Sequence, residues 1–337
     1  MRTFRCACGA RLFFENSSCL TCARELGFLP DRMTLSAIEP GQGGHYRSVP
    51  PSRAYRKCQN YVQHGVCNWM IDAADPQSLC LACRLNNVIP DLSNPESRAL
   101  WADVETAKRR LLYTLSRLGL PIAPKSEDPD RGLAFDIKAE DGSQRVVTGH
   151  SEGLITLNLA EADPVAREKM RVAMKERYRT LLGHFRHEIG HYYWERLIKE
   201  SQLLAPFRAL FGDEQVDYSR ALQRHYQNGP PAGFADSYIS SYAAAHPWED
   251  WAETFAHYLH VIDTLETAHH FGFTSDVPRN VSPPDVADFD LLMREWFDLA
   301  IALNALNRSM GLPDVYPFAI SPTVREKFAF VHRCVSP

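Results

Sequence analysis

Eight of the nine cysteines fall within the first 83 residues, in two groups of four, and this distribution restricts how the N-terminal region can fold. The first group is Cys6, Cys8, Cys19 and Cys22, spaced C-x-C and C-x-x-C; the second is Cys58, Cys67, Cys80 and Cys83, ending in CLAC. The chain opens MRTFRCACGARLFF, without the long apolar run of a secretion signal. Clustered cysteines then read as metal ligands in a reducing compartment rather than as disulfides, and the expected location is the cytoplasm. Four thiolates around zinc make a closed structural site, and metal binding supplies folding energy that so small a core lacks.

In the first group, two close pairs separated by a short hairpin match a zinc ribbon, with Gly9 following the second cysteine as a ribbon knuckle favours. Its first pair is one residue tighter than the usual C-x-x-C. In the second group Cys58 and Cys67 are more widely set. His64 could substitute as a ligand, although four cysteines make it unnecessary. The expectation for residues 1–92 is therefore a zinc-ribbon region with two four-cysteine zinc sites. The Pro, Gly and Ser punctuation of AIEPGQGGHYRSVPPSR (37–53) reads as a linker between them. Cys334 reads as an ordinary free thiol, and Arg47, Arg53, Arg56 and Lys57 as a solvated basic stretch.

A different pattern begins near residue 96. Asn94, or else Ser93, caps a helix over about 100–119, with Pro95 at its first position. Residues 133–137, 145–149 and 153–159 read as short strands. A long helical region is expected over 163–199, with further helices at 231–245, 249–268, 285–308 and 321–333. Strands followed by several helices predict an α+β catalytic domain over 96–337.

Within the long helical region, HFRHEIGHYYW contains HEIGH, an HExxH pattern. Helical residues four apart share a face, so His187 and His191 can address one metal ion while Glu188 sits beside it. Zinc lowers the pKa of a bound water towards about 7, and a carboxylate can then accept its proton and pass it to a leaving amine. Leu181, Leu182, Phe185, Ile189, Tyr192 and Tyr193 predict a buried helix, where two histidines and a glutamate are costly unless something satisfies them.

A catalytic zinc needs a third protein ligand and an open position. Trp194 and Leu197 stand where an extended HExxHxxGxxH motif would place Gly and His, so that ligand must come from elsewhere. AHPWEDWAETFAHYLH (245–260) is the best source. Glu249 and Glu253 are four apart on a second helix, so Glu249 can bind zinc while Glu253 hydrogen-bonds a ligating histidine and fixes its tautomer. Asp250, Glu253, His246 and His257 remain alternative ligands.

HEIGH followed by EDWAE resembles the gluzincin metallopeptidases, including the thermolysin-like enzymes and anthrax lethal factor. The whole chain is more closely similar to a bacterial family of zinc-binding metallopeptidases with an N-terminal zinc-ribbon region. The shared stretches are FFENSSCLTC, CRLNNVIPDLS, GLITLNLAEAD, HFRHEIGHYYW, HPWEDWAETFAHYLH and LNRSMGLPDVYPF. The resemblance implies an α+β chain: a gluzincin-like, mainly helical metallopeptidase domain with a small sheet, preceded by a zinc-ribbon or rubredoxin-like region. It supports Glu249 as third ligand and Glu253 as the outer partner. Tyr242, seven residues before Glu249, is placed like the catalytic tyrosine of the lethal-factor-like enzymes and is the candidate oxyanion donor, with Tyr238 and His246 as rivals.

The expected function is hydrolysis of peptide bonds in a peptide or protein substrate, with one catalytic and two structural zinc ions. The alternative is a nucleic-acid-associated zinc-ribbon protein, in enzymatic form resembling the SprT-like proteases. A formal charge of -4 gives that alternative no broad electrostatic basis. No stretch reaches the roughly 18–20 apolar residues that a membrane span needs.

Overall fold

Two short antiparallel strands, β1 (Phe4–Arg5) and β2 (Arg11–Leu12), flank the turn that carries Cys6 and Cys8. The computed structural model describes residues 1–50, 53–140, 145–174, 176–274, 276–278 and 281–336. The chain divides into two units. One comprises Met1–Arg117, Pro121–Thr148 and Leu154–Arg167; the other comprises Leu118–Leu120, Gly149–Gly153 and Glu168–Pro337.

In the first unit, β3 (Leu26–Leu29), β4 (Thr34–Pro40), β5 (Tyr46–Val49), β6 (Ala54–Lys57) and β7 (Met70–Asp72) form an antiparallel meander in sequence order. The stretch expected as a linker is therefore strand, turn and strand. Ala37 and Ile38 of β4 are buried, and Ile38 packs with Leu29, Tyr55 and Met70. The glycines that suggested a linker form the turn itself: Gly41 N–H donates to His45 O at 2.7 Å, and Gly43 and Gly44 take φ of 65° and 75°. Pro51 and Ser52 of that stretch lie outside the described residues.

Two short helices, α1 (Gln59–His64) and α2 (Leu81–Arg84), start at Cys58 and Cys80 respectively. Strand β8 (Asn86–Val88) follows, then α3 (Pro95–Arg117), which buries Trp101, Val104, Leu111, Leu112 and Tyr113. The Asn94 side chain caps α3, accepting from Glu96 N–H at 2.9 Å, whereas Ser93 turns back to Asp91. Strand β9 (Ala134–Lys138) pairs in parallel with β8, while β10 (Gly149–Ser151) lies in the second unit and β11 (Leu154–Asn158) pairs with β9, also in parallel. The strand expected at 145–149 is not formed over 145–148. Val147 is 70% exposed, so this stretch has no apolar face to bury.

The helical region expected over 163–199 is two helices, α4 (Pro164–Ala173) and α5 (Leu181–Leu197). Thr180 starts the second, its hydroxyl accepting from Gly183 N–H at 2.9 Å. Helices α6 (Leu204–Phe211) and α7 (Tyr218–Asn228) were not expected; α7 buries Ala221 alone among its residues. The helix expected at 231–245 is instead two 3-10 turns, Phe234–Asp236 and Tyr242–Ala245. Gly233 at φ 71° and the Ser240 hydroxyl, which accepts from Ala243 N–H at 3.0 Å, divert the backbone. Then come α8 (Pro247–Phe271), α9 (Phe289–Ser309) and α10 (Pro322–Val335).

The second unit is organised by the packing of α5 on α8. A Cβ added at Gly190, the glycine of HEIGH, would stand 2.9 Å from Ala252 Cα and 3.1 Å from its carbonyl oxygen. The crossing is that close because both residues are small. Trp251 Nε1 donates to Gly190 O at 2.8 Å across it.

Candidate metal centres and active site

The α5–α8 crossing sets three ligand atoms around one point. His187 Nε2 lies 3.2 Å from His191 Nε2 and 3.0 Å from Glu249 Oε2, and His191 Nε2 lies 3.4 Å from the same oxygen. Ligand atoms about 2.0–2.1 Å from a tetrahedral ion lie about 3.3 Å from one another, so these spacings suit zinc. Glu249 is buried, and its Oε2 accepts no hydrogen bond from any described residue. Two imidazole nitrogens and one carboxylate oxygen aimed at a single point are a donor set that suits a divalent cation.

The partners behind this trio fix its orientation. His187 Nδ1 donates to Glu253 Oε1 at 2.7 Å, which turns Nε2 toward the centre. Ser240 Oγ donates to Glu253 Oε2 at 2.5 Å. Tyr218 OH donates to Glu249 Oε1 at 2.6 Å. The rings of His191 and Trp248 stand 4.1 Å apart, and the buried side chain of His150 on β10 stacks 6.3 Å from His191. Burial would raise the Glu253 carboxyl, but the hydrogen bond and charge of His187 outweigh it and hold it down at about 2. Burial likewise opposes protonation of His187, yet Glu249 and Glu253 carry its pKa well above the ordinary value.

The other proposed ligands are occupied elsewhere. Asp250 pairs with Lys327 Nζ at 2.6 Å. His246 caps α8, accepting from Trp248 N–H at 3.1 Å and donating to Val216 O at 3.0 Å. His257 is bonded to Tyr316 OH at 2.9 Å. Glu188 lies next to the trio, near enough to Tyr218 and Tyr242 that its charge helps to push both phenols up, after burial and Glu249. The Tyr242 ring is 5.8 Å from that of His187, while Tyr238 lies under Lys327 at 4.5 Å. Sequence reasoning missed Tyr218, Ser240 and His150. Each comes from a separate short segment, and none belongs to a spaced motif.

Both cysteine groups are gathered. Cys6, Cys8, Cys19 and Cys22 form one cluster and Cys58, Cys67, Cys80 and Cys83 another, each with its sulfurs within 4.8 Å of one another. Cys6 and Cys22 are 3.6 Å apart, Cys8 and Cys19 3.7 Å, and Cys67 and Cys80 3.7 Å. Thiolates about 2.3 Å from a tetrahedral zinc lie about 3.8 Å apart, so the spacing fits. The tight C-x-C pair is accommodated by Gly9 at φ 90°, whose N–H donates to Cys6 O at 2.8 Å. Backbone N–H groups point at sulfur in the second cluster, from Trp69 to Cys67 and from Cys80 to Cys58, each at 3.4 Å. The backbone N–H of Arg24 holds the Cys22 thiol down at about 6, favouring thiolate there. His64 stands apart from both clusters, with its ring against Trp101 at 5.7 Å.

Residues 97–334 match the family described as "Putative zinc-binding metallo-peptidase", and residues 3–94 match a zinc-ribbon domain. The chain belongs to that metallopeptidase family and carries the zinc-ribbon domain at its N-terminal end. Uncharacterized proteins of Mycobacterium bovis and of Mycobacterium tuberculosis are each 46% identical to it over 340 residues, covering 99% of this chain and 95% of theirs. No solved structure matches the chain. Among the described residues, no helix is long and apolar enough to cross a membrane.

Proposed function

We propose that the chain is a zinc-dependent peptidase that hydrolyses peptide bonds in peptide or protein substrates, with a gluzincin-like active site on α5 and α8. The observation that carries this reading is the convergence of His187 Nε2, His191 Nε2 and Glu249 Oε2 within 3.0–3.4 Å of each other beside Glu188. Those three side chains would hold the catalytic zinc, and each cysteine cluster would hold a structural one. Zinc in such a site supplies Lewis acidity that eases ionisation of a water near neutral pH and polarises a carbonyl.

The remaining chemistry belongs to the chain. Glu188 accepts a proton from the attacking water on its carboxylate and returns it to the departing amine. Tyr242 keeps its phenolic proton through the neutral range, because burial and nearby carboxylates push its pKa up. It can therefore donate a hydrogen bond to the carbonyl oxygen as negative charge builds there. Glu253, backed by Ser240, keeps the His187 ring turned so that Nε2 faces His191 and Glu249.

The test is a digest of a peptide mixture derived from a bacterial proteome, comparing wild type with Glu188→Gln. New cleavage products from wild type, formed about 10²–10⁴-fold more slowly by the variant, are expected. Equal product formation by both proteins would remove Glu188 from the chemistry, and no cleavage by either would count against the peptidase reading.

A further inference from the structure

Glu249 presents two oxygens that are treated differently by their surroundings. Oε2 faces both histidines, at 3.0 Å from His187 Nε2 and 3.4 Å from His191 Nε2, whereas Oε1 accepts from Tyr218 OH at 2.6 Å. Tyr218 opens α7, whose N-cap Asp217 accepts from Arg220 N–H at 3.0 Å, so the residue sits on an anchored helix end rather than in a free loop. Its ring packs edge-on against His246 at 5.2 Å and Trp248 at 5.9 Å. His246 in turn ties the two segments together. It caps α8, the helix that carries Glu249, and donates to the carbonyl of Val216, two residues before Tyr218. The direction of the phenol is thus set by packing and by a backbone tether, not by the hydrogen bond alone.

We infer that Tyr218 is a positioning residue for the metal centre, engaging Oε1 of Glu249 so that the carboxylate offers the metal Oε2 alone and one coordination position stays open for substrate. A carboxylate can bind a divalent ion through one oxygen or two, and binding through two would fill the position that a catalytic site must keep free. A phenol donor on one oxygen biases the group toward the single-oxygen mode and steadies its rotamer. The inference rests on the metal-site reading above and adds a function for a residue outside both sequence motifs.

The test uses the full-length protein. The catalytic metal is removed with a dicarboxylate chelator that leaves the cysteine-bound zincs in place, and Co2+ is then added as a coordination probe. Wild type is compared with Tyr218→Phe, an isosteric change at a partly exposed ring. The expected variant binds zinc at this centre about 10-fold or more weakly, within the range found when outer partners of metal ligands are lost. Its cobalt form should show the weaker visible absorption of a higher coordination number. Unchanged zinc affinity and an unchanged cobalt spectrum would overturn the inference, and a fall in kcat with both unchanged would assign Tyr218 to the substrate instead. If wild type itself takes up no cobalt after chelation, the metal-site reading fails, a result distinct from the failure of the Tyr218 assignment.

Discussion

Gly190 and Ala252 touch where α5 crosses α8, and the metal trio exists because they do. A Cβ on Gly190 would meet Ala252 Cα at 2.9 Å, and the obstacle is backbone that cannot swing aside. Gly190→Ala should therefore separate the helices and cost about 1–3 kcal/mol, the usual range for overpacking a tight core. Because His187 and His191 reside on one helix and Glu249 on the other, the same change should weaken metal binding. Chemical denaturation together with zinc titration checks both. A variant as stable as wild type with full zinc affinity would show that the crossing is looser than described.

Glu253 acts through His187. Its Oε1 accepts from Nδ1 at 2.7 Å, so Glu253→Ala removes the partner that fixes the tautomer. Zinc affinity at the histidine site should fall about 10–100-fold, while the two cysteine clusters keep their metal. Competition with a chelator, read by the rate of zinc release, gives the measurement. Equal release rates for variant and wild type would refute the role.

Lys327 on α10 neutralises Asp250 on α8 at 2.6 Å, with both side chains almost fully buried. Lys327→Met strands a carboxylate in the core, and the loss should be about 3–5 kcal/mol. Replacing both partners, Lys327→Met with Asp250→Asn, should recover much of it, since no charge is then left uncompensated. Thermal unfolding of the two variants makes the comparison. A single variant as stable as the double would contradict the pairing.

His257 and His260, both half-buried on α8, make stability depend on pH. Burial, reinforced by Arg186, holds His257 down at about 4 and His260 at about 3, and Arg186 donates to His260 Nδ1 at 3.2 Å. Both stay neutral in the folded chain, whereas in the unfolded chain they take up protons below about pH 6.5. Their contribution is present in full above pH 6.5 and is lost as pH falls toward 4, at up to about 2.7 kcal/mol per pH unit for the pair. A His257→Gln/His260→Gln variant should lose stability less steeply over that window in urea titrations at several pH values. Parallel slopes for the variant and wild type would contradict it.

Much of the site could be read in the sequence because helix geometry is local. His187, Glu188 and His191 share a turn of α5, and Glu249 and Glu253 share a turn of α8, so spacing alone predicted which side chains face the same way. The cysteines were legible for a similar reason, since close pairs imply knuckles. What stayed hidden depends on tertiary packing. Tyr218 reaches Glu249 from a separate helix far from either motif in sequence, and Ser240 reaches Glu253 from a stretch whose own serine breaks the helix expected there. The meander across 34–57 was masked by Gly and Pro, which mark a tight turn and a linker alike. The α+β class was correctly anticipated, but the parallel pairing of β9 with β8 and β11 was not, because strand order is not written in any one strand.

The central claim is that the HEIGH helix holds a metal separate from those of the cysteine clusters. Elemental mass spectrometry of zinc per chain, for wild type and a His187→Ala/His191→Ala double variant, tests it most directly. The three donor clusters predict about three zincs falling to about two, with the fold retained. A double variant that keeps every zinc of the wild type would contradict the account, for the histidines and Glu249 would then hold none.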